Sequence, residues 1–217
     1  MTNNNYADPG NFFNLDYRPQ PRQDSDLLQQ IGFIPGLKEI LMLRQVHALE
    51  HGTVWVLSEG EKKLQNPILE GRDIQVDNET LGGLSTDRGF YLYGQVDRLD
   101  LKRAVFTALD RFKQGEWNLA IHPRCGTNLS VAMLLTSGLI LGTHLLLPRS
   151  PLTQLFGAGI AFTTASQLAP DLGKEAQKYL TTSVPFNLQI RNIARTTDIW
   201  GRSAYFVGVE WVDCNKT

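Results

Sequence analysis

Two of the four histidines in this chain lie within five residues, in the segment His47-Ala48-Leu49-Glu50-His51. Side chains four residues apart on a helix point the same way and lie about one turn from each other. One helix can therefore offer two imidazoles to a divalent metal ion, and a glutamate between them could act as general base on a metal-bound water. His47 and His51 are candidate metal ligands, and Glu50 is a candidate catalytic residue.

A second pair of potential ligands occurs in the segment His122-Pro123-Arg124-Cys125, which places an imidazole and a thiol two residues apart. Together with His47 and His51, these side chains could form a tetrahedral His₃Cys set, for which zinc is the expected metal. Three protein ligands would leave a position for water and suit catalysis. Four would close the site and make it structural.

Both clusters also have interpretations without a metal. The histidine pair could form a hydrogen-bonded helix face, with Glu50 as an ion-pair partner of Arg44 or as a residue that orients ligands. The segment from Cys125 to Asn128 could simply cap the helix that follows, because Thr127 or Asn128 can accept hydrogen bonds from free backbone amides. The two clusters together favour metal binding.

Composition limits the classes of function. The chain has 217 residues, 42% of them hydrophobic, which is enough to bury a core. A net charge of −1 gives no electrostatic basis for binding nucleic acid. Two cysteines, Cys125 and Cys214, are too few for a disulfide framework and suit a reducing compartment. Residues 1–30 are polar and lack the apolar core of a signal peptide, so we predict a disordered tail.

Residues 126–170 carry a single charge, that of Arg149. The segment Pro148-Arg149-Ser150-Pro151 cannot continue a helix and divides this stretch into two apolar parts of about twenty residues, each long enough to cross about 30 Å of hydrocarbon. We predict a two-helix transmembrane hairpin over 126–170, with membrane lipid as its partner. The alternatives are a hairpin buried in a soluble core and a re-entrant insertion.

Charge and small residues predict how this hairpin is oriented and packed. Its open end is flanked by Arg111, Lys113, Arg124, Lys174 and Lys178, whereas its turn has Arg149 alone. The positive-inside rule then places both termini in the cytoplasm. Small residues four apart let helices approach closely within the hairpin or between copies in a homo-oligomer, and they occur at Gly138 and Gly142 and at Gly157, Ala161 and Ala165.

The remaining residues predict an α+β fold. Apolar spacing indicates a helix over about 36–57 and a second one capped by Asp97 or Asp100 and stopped at Gly115, and residues 58–78 are predicted to be mainly loop. Alternation predicts strands at 90–93, 116–121, 186–193 and 204–212, with a turn around 198–201, and a short helix is expected over 171–180. Residues 31–125 and 171–217 would thus build one cytoplasmic helix and strand domain, interrupted by the hairpin.

Several sequence blocks carry a resemblance to a known family. HALEHGTVWVL, GLSTDRGFYLYG, GEWNLAIHPRCGTNLSVAML and QKYLTTS resemble, in this order, an uncharacterised bacterial membrane-protein family known only as a domain of unknown function. The similarity covers about residues 40–210. It implies a membrane location and no particular chemistry.

His47, Glu50 and His51 also resemble the H-x-x-E-H motif of inverted zinc proteases, which implies peptidase-like zinc hydrolysis with Glu50 as base. Those enzymes take a third ligand from a downstream glutamate helix that is not identifiable here. His122 or Cys125 would be a different choice of ligand.

Three functions follow from these patterns. The first is a membrane-anchored zinc hydrolase, in which Arg124 or Asn128 could stabilise an oxyanion. The second is a structural metal site that joins the soluble domain to the hairpin. The third is a metal-free membrane interaction or assembly protein. His144 lies too far along the first apolar helix to join the site, and Cys214 is expected to be inert.

Overall fold

A computed structural model describes residues 19–65 and 77–213, with the backbone alone for 61–65. The helices are α1 (Gln23–Ile31), α2 (Leu37–Gln65), α3 (Arg98–Lys113), α4 (Gly126–Leu146) and α5 (Pro151–Ala176). The strands are β1 (Gly82–Thr86), β2 (Gly89–Tyr93), β3 (Leu188–Thr197) and β4 (Ser203–Trp211). A 3₁₀ turn spans Trp117–Ala120, and a π-helical segment, Gln177–Thr181, extends α5. The predicted α+β class is confirmed.

The four strands form one antiparallel sheet in the order β1-β2-β4-β3. The predicted turn between the last two strands is confirmed: Asp198 accepts hydrogen bonds from the backbone amides of Trp200 and Arg202, and Gly201 adopts a positive φ of 78°. The predicted strand at 90–93 is β2. Its partner β1 was not predicted, because Gly82-Gly83-Leu84-Ser85-Thr86 has no apolar alternation.

Helix α2 is the central element of the core. Every residue from Ala48 to Trp55 is buried, and the helix contacts α3, the 3₁₀ turn and the sheet. Val46 and Leu49 belong to the same cluster as Val105 of α3 and Phe90 of β2. The histidine pair therefore lies beside or within the buried middle part of this helix, which defines its position firmly.

Helix α3 follows its predicted pattern. The Asp97 side chain accepts a hydrogen bond from the Leu99 amide at 2.7 Å, which caps the helix, and the residues of the predicted stripe are buried. The expected helix at 36–57 is also present, but α2 continues to Gln65, so the predicted loop is wrong up to that residue. Residues 66–76 lie outside the described part of the chain.

Helices α4 and α5 pack against each other in antiparallel directions. The side of α5 that faces α4 is made of small buried residues spaced by four, namely Gly157, Ala161, Ala165, Ala169 and Gly173. A Cβ added at Gly157 would strike Leu147 and touch Thr143, and one added at Gly173 would overlap Asn128. The small-residue pairing predicted for the second arm is thus present. A Cβ added at Gly138 or Gly142 of α4 would meet nothing within 4 Å, so these two glycines are not needed for the contact with α5.

The apolar character of the two helices differs. In the described part of the chain, only α4 is long and apolar enough to cross a membrane, judged by length and composition. None of its residues is buried. The second span of the predicted hairpin, α5, does not meet the same criterion.

Three local predictions are wrong. Residues 117–120 form a 3₁₀ turn rather than a strand. Helix α5 does not stop before residue 171, because Pro170 lies inside it and packing against α4 continues to Gly173. Part of the predicted N-terminal tail is helix α1, in which Asp24 and Ser25 are buried. Residues 1–18 and Cys214 are outside the described residues.

His144 lies near the turn of the hairpin, away from the other histidines. Its Nδ1 is 3.0 Å from Oε1 of Gln154, whose amide donates to the backbone carbonyls of Leu147 and Pro148. The histidine thus belongs to a polar network that closes the turn between α4 and α5.

The close approach at Gly173 can be tested against a glycine of the same helix that faces open space. We expect Gly173→Ala to lower the stability by about 1–3 kcal/mol, because the added methyl displaces Asn128. Gly159→Ala meets nothing within 4 Å and should leave stability unchanged or raise it by up to about 1 kcal/mol. Thermal unfolding of the purified protein, followed by circular dichroism, measures both. Equal melting temperatures for the two variants would contradict the described helix contact.

Candidate metal centre

His47 and His51 are held by backbone carbonyls from two different segments. Nδ1 of His51 lies 2.6 Å from the carbonyl oxygen of Ala120, and Nδ1 of His47 lies 3.1 Å from that of Thr181. A carbonyl oxygen only accepts hydrogen bonds, so each ring donates through Nδ1–H. Nε2 is then the nitrogen of each ring that remains for a metal ion, as in a metal-ligating histidine oriented by a neighbouring carbonyl.

Cys125 completes a compact group with these two histidines. Its Sγ lies 3.2 Å from Nε2 of His47, and one ligand atom from each of His47, His51 and Cys125 lies within 4.8 Å of the other two. Ligands around a tetrahedral zinc ion are separated by about 3.5 Å, given bond lengths near 2.0–2.3 Å. A zinc ion would therefore fit among the three with small side-chain adjustments. No fourth histidine, cysteine, aspartate or glutamate of the described residues joins this group.

The surroundings of Cys125 lower the pKa of its thiol. Burial raises the pKa of Cys125, but the interactions with His51 and with the Thr127 amide outweigh that effect and hold the pKa below its usual value. Cys125 is the N-cap of α4, and its Sγ accepts from the Thr127 amide at 3.4 Å. The capping role considered above thus coexists with the metal-ligand geometry. A thiolate at a helix N-terminus is an established form of reactive or metal-binding cysteine.

The structure places His122 beside the group and not within it. Its ring lies 5.5 Å from that of His51. Its Nδ1 accepts from the Arg124 backbone amide at 3.3 Å, and its buried Nε2 lies 3.3 Å from Asp77 without the alignment of a hydrogen bond. Burial, together with the nearby His51, lowers the pKa of His122 to about 4, so the ring is neutral near pH 7.

The loop that carries His122 and Cys125 is fastened by the side chain of Gln177, which is fully buried. Its Oε1 accepts from the His122 amide at 2.8 Å, and its Nε2 donates to the His122 carbonyl at 3.1 Å and to Oδ1 of Asn128 at 2.7 Å. Asn128 donates in turn to the Pro123 carbonyl at 2.7 Å. Sequence reasoning missed Gln177, because a glutamine in a helical segment carries no signal of such a role.

Arg124 fastens the same loop from the other side. Its guanidinium bonds both carboxylate oxygens of Asp77 and the carbonyl of Asn78, and it holds the pKa of Asp77 below its usual range. Both residues suggested for stabilising an oxyanion, Arg124 and Asn128, are therefore engaged in positioning the loop.

Glu50 is buried between α2 and β1. Its Oε2 accepts a hydrogen bond of 2.6 Å from the Ser85 hydroxyl, and a Cβ at Gly83 would overlap its carboxylate. Burial raises the pKa of Glu50 above its usual value, although the Ser85 hydrogen bond and the charge of His47 oppose the shift. A carboxylate with a raised pKa is suited to take up a proton near neutral pH.

The ligand group and Glu50 share one cavity of about 600 Å³. Its polar residues include His47, Glu50, His51, Ser85, Cys125 and Thr127, and its apolar residues include Ile40, Leu43, Leu84 and Leu180. His122 also lines this cavity, so all five residues singled out from the sequence border the same space.

Comparison with known proteins confirms the expected resemblance to a domain of unknown function. The family model "Domain of unknown function (DUF6391)" matches residues 42–193, which include all of these side chains. An uncharacterized protein of Picosynechococcus sp. (strain ATCC 27264 / PCC 7002 / PR-6) is 51% identical over 213 residues, which cover 98% of this chain and 99% of the relative. No solved structure matches the chain.

The role of Gln177 in holding the loop can be tested by removing its amide. We expect Gln177→Ala to lower stability by about 1–3 kcal/mol, because the buried amide and carbonyl of His122 lose their partners. The neighbouring Lys178→Ala, at a side chain that packs over the exposed ring of Tyr179, should change stability by less than about 0.5 kcal/mol. Chemical unfolding of both variants measures the difference. A Gln177→Ala protein as stable as the Lys178→Ala protein would show that the loop is held by other contacts.

Proposed function

The chain belongs to the DUF6391 family, and from the geometry of its side chains we propose that it is a membrane protein with a zinc site formed by His47, His51 and Cys125. The observation that carries this proposal is the convergence of a thiol and two imidazoles whose Nδ1 atoms are both occupied by backbone carbonyls. Two imidazole nitrogens and one thiolate are a donor set that zinc prefers.

We further propose that the site is catalytic and performs hydrolysis. His47, His51 and Cys125 would hold the zinc ion, and zinc with only three protein ligands would supply Lewis acidity that lowers the pKa of a water molecule. Glu50 borders the same cavity and is not one of the three clustered ligands, so it can accept the proton of the attacking water and pass it to the leaving group. Ser85 orients the carboxylate for that task.

A structural metal site is the second candidate, and one observation favours it. The ligands come from α2 and from the start of α4, while the carbonyls that orient the histidines come from the 3₁₀ turn and the π-helical segment. A metal held there would tie four segments together at the base of the helical hairpin. In this alternative, Glu50 only orients neighbouring groups.

Metal content and cobalt spectroscopy separate these functions. We expect about one zinc per chain in wild type. His51→Ala should lose the metal and melt about 5–15 °C lower, because bound ligand stabilises the folded state. Glu50→Gln should retain it. In the cobalt-substituted protein, acetohydroxamate should shift the visible absorption bands if a coordination position is open, and leave them unchanged if the site is closed and structural.

His144→Ala is the matched control for these variants, because His144 is bonded at the far turn of the hairpin. It should keep both metal and melting temperature. Wild type without zinc, together with a His51→Ala variant as stable as wild type, would exclude both metal functions and leave the membrane assembly role.

We also propose that α4 and α5 form a membrane hairpin with both termini in the cytoplasm. Large apolar side chains of both helices are exposed, among them Leu134 and Leu146 of α4 and Phe156 and Ile160 of α5. The small-residue face of α5 packs on α4, so the apolar faces of the pair turn outward toward lipid. The Gly138 and Gly142 face of α4 is open, and a second copy of this chain could pack there.

Cysteine labelling in intact cells tests this topology. In a Cys214→Ser chain, we expect Ser150→Cys, in the hairpin turn, to react with a membrane-impermeant maleimide from outside. Thr197→Cys, exposed at the end of β3, should react only after permeabilisation. The unsubstituted Cys214→Ser chain, which keeps the buried Cys125, serves as the blank. Reaction of both variants only after permeabilisation, or extraction of the protein by alkaline carbonate, would contradict the hairpin.

A further inference from the structure

The cavity above the ligand group has a polar base and an apolar mouth. The base is formed by the ligands, Glu50 and the hydroxyls of Ser85, Thr127 and Thr181. The exposed apolar side chains of the lining are Ile40 and Leu43 from α2, Leu84 from β1, and Leu180 from the π-helical segment. Three separate elements thus contribute large aliphatic side chains to a single opening.

These aliphatic side chains are exposed although they surround a polar site. Leu180 is 70% exposed, Ile40 56% and Leu43 40%. Scattered exposed leucines are ordinary, but a group of them around one cavity marks a surface that binds apolar material. Covering them with a ligand removes apolar surface from water and so favours binding.

The apolar mouth also adjoins the helix that is apolar enough to cross a membrane. Gly126 and Thr127, the first two residues of α4, line the cavity. The cavity therefore lies at the start of the helix that is apolar enough to cross a membrane. With α4 in the membrane, as proposed above, a molecule lying in the outer part of the bilayer can reach the mouth.

Hydrogen bonds within the protein engage the charged side chains of the lining. Arg44 donates to the backbone carbonyls of Tyr179 and Thr182, and Arg124 is bonded to Asp77. The third charged residue, Glu50, is buried and hydrogen-bonded to Ser85. The exposed aliphatic side chains therefore offer the largest surface for contact with a ligand at the opening.

We infer that the substrate of this site is an acyl amphiphile, with its hydrocarbon chain in the mouth and its ester or amide carbonyl at the ligand group. This inference rests on the proposed hydrolytic function. In the reaction, the bond between the acyl carbon and the leaving oxygen or nitrogen breaks. Water adds its hydroxyl to the acyl carbon, and its proton passes by way of Glu50 to the leaving atom.

Chain-length dependence of hydroxamate binding tests the inference, because a hydroxamate binds zinc and its tail imitates an acyl chain. We expect octanohydroxamate to bind the zinc-loaded protein at least about tenfold more tightly than acetohydroxamate, since each buried methylene favours binding by a factor of about four. The Leu43→Gln, Leu180→Gln double variant should bind acetohydroxamate as wild type does and lose most of the gain for the longer tail. Titration calorimetry of protein in nanodiscs measures all four affinities.

Leu99→Gln is the matched control, because Leu99 is 63% exposed on α3 and does not line the cavity. This variant should keep the full gain in affinity for octanohydroxamate over acetohydroxamate. The acyl inference is overturned, while the metal site stands, if acetohydroxamate binds but octanohydroxamate binds no more tightly. The same holds if octanohydroxamate gains as much affinity in the double variant as in wild type. If zinc is retained but neither hydroxamate binds, the open site fails and the inference with it.

Discussion

The reciprocal hydrogen bonds between the Gln177 amide and the backbone of His122 fix how the α+β part meets the helical hairpin. A buried backbone amide or carbonyl without a partner costs free energy, so the loop cannot move away from α5 without losing both bonds. Cys125 lies three residues further along this loop. The position of the thiol relative to α2 thus depends on a side chain at the end of the hairpin.

The ligand group combines local and long-range positioning. The spacing of His47 and His51 is a property of one helix, and burial of residues 48–55 keeps that helix in place. Their ring orientations depend on the carbonyls of Ala120 and Thr181, which are 69 and 134 residues away from their partners in the chain. The helix accordingly determines the spacing of the two imidazole rings, and the tertiary contacts determine which nitrogen of each ring donates to a carbonyl.

Local patterns in the sequence predicted helices α2 and α3 and strands β2, β3 and β4. They also singled out five chemically important residues, which the structure brings around one cavity. Predictions failed where polar partners from elsewhere decide the structure. Alternation at Trp117-Asn118-Leu119-Ala120 indicated a strand. In the structure, the carbonyl of Ala120 accepts a hydrogen bond from the side chain of His51, and the carbonyl of Ile121 accepts one from Trp55. No strand of the described residues pairs with this segment, which forms a 3₁₀ turn. Helix α1 is held by a buried polar network in which Asp24 accepts a hydrogen bond from Gln45. Its sequence therefore shows no apolar pattern that would predict a helix. The position of His122 beside the cluster depends on Arg124 and Asp77, which no local pattern could reveal.

The small residues of α5 that meet α4 recur every four positions from Gly157 to Gly173, and Gln177 is the next position in this series. The seam between the two helices therefore leads directly to the amide that holds the loop. Each residue of an α-helix turns the chain by about 100°. Insertion or deletion of one residue between Gly157 and Gln177 would rotate that amide away from His122 while leaving its chemistry unchanged. The number of residues between Gly157 and Gln177 therefore determines where the thiol of Cys125 lies.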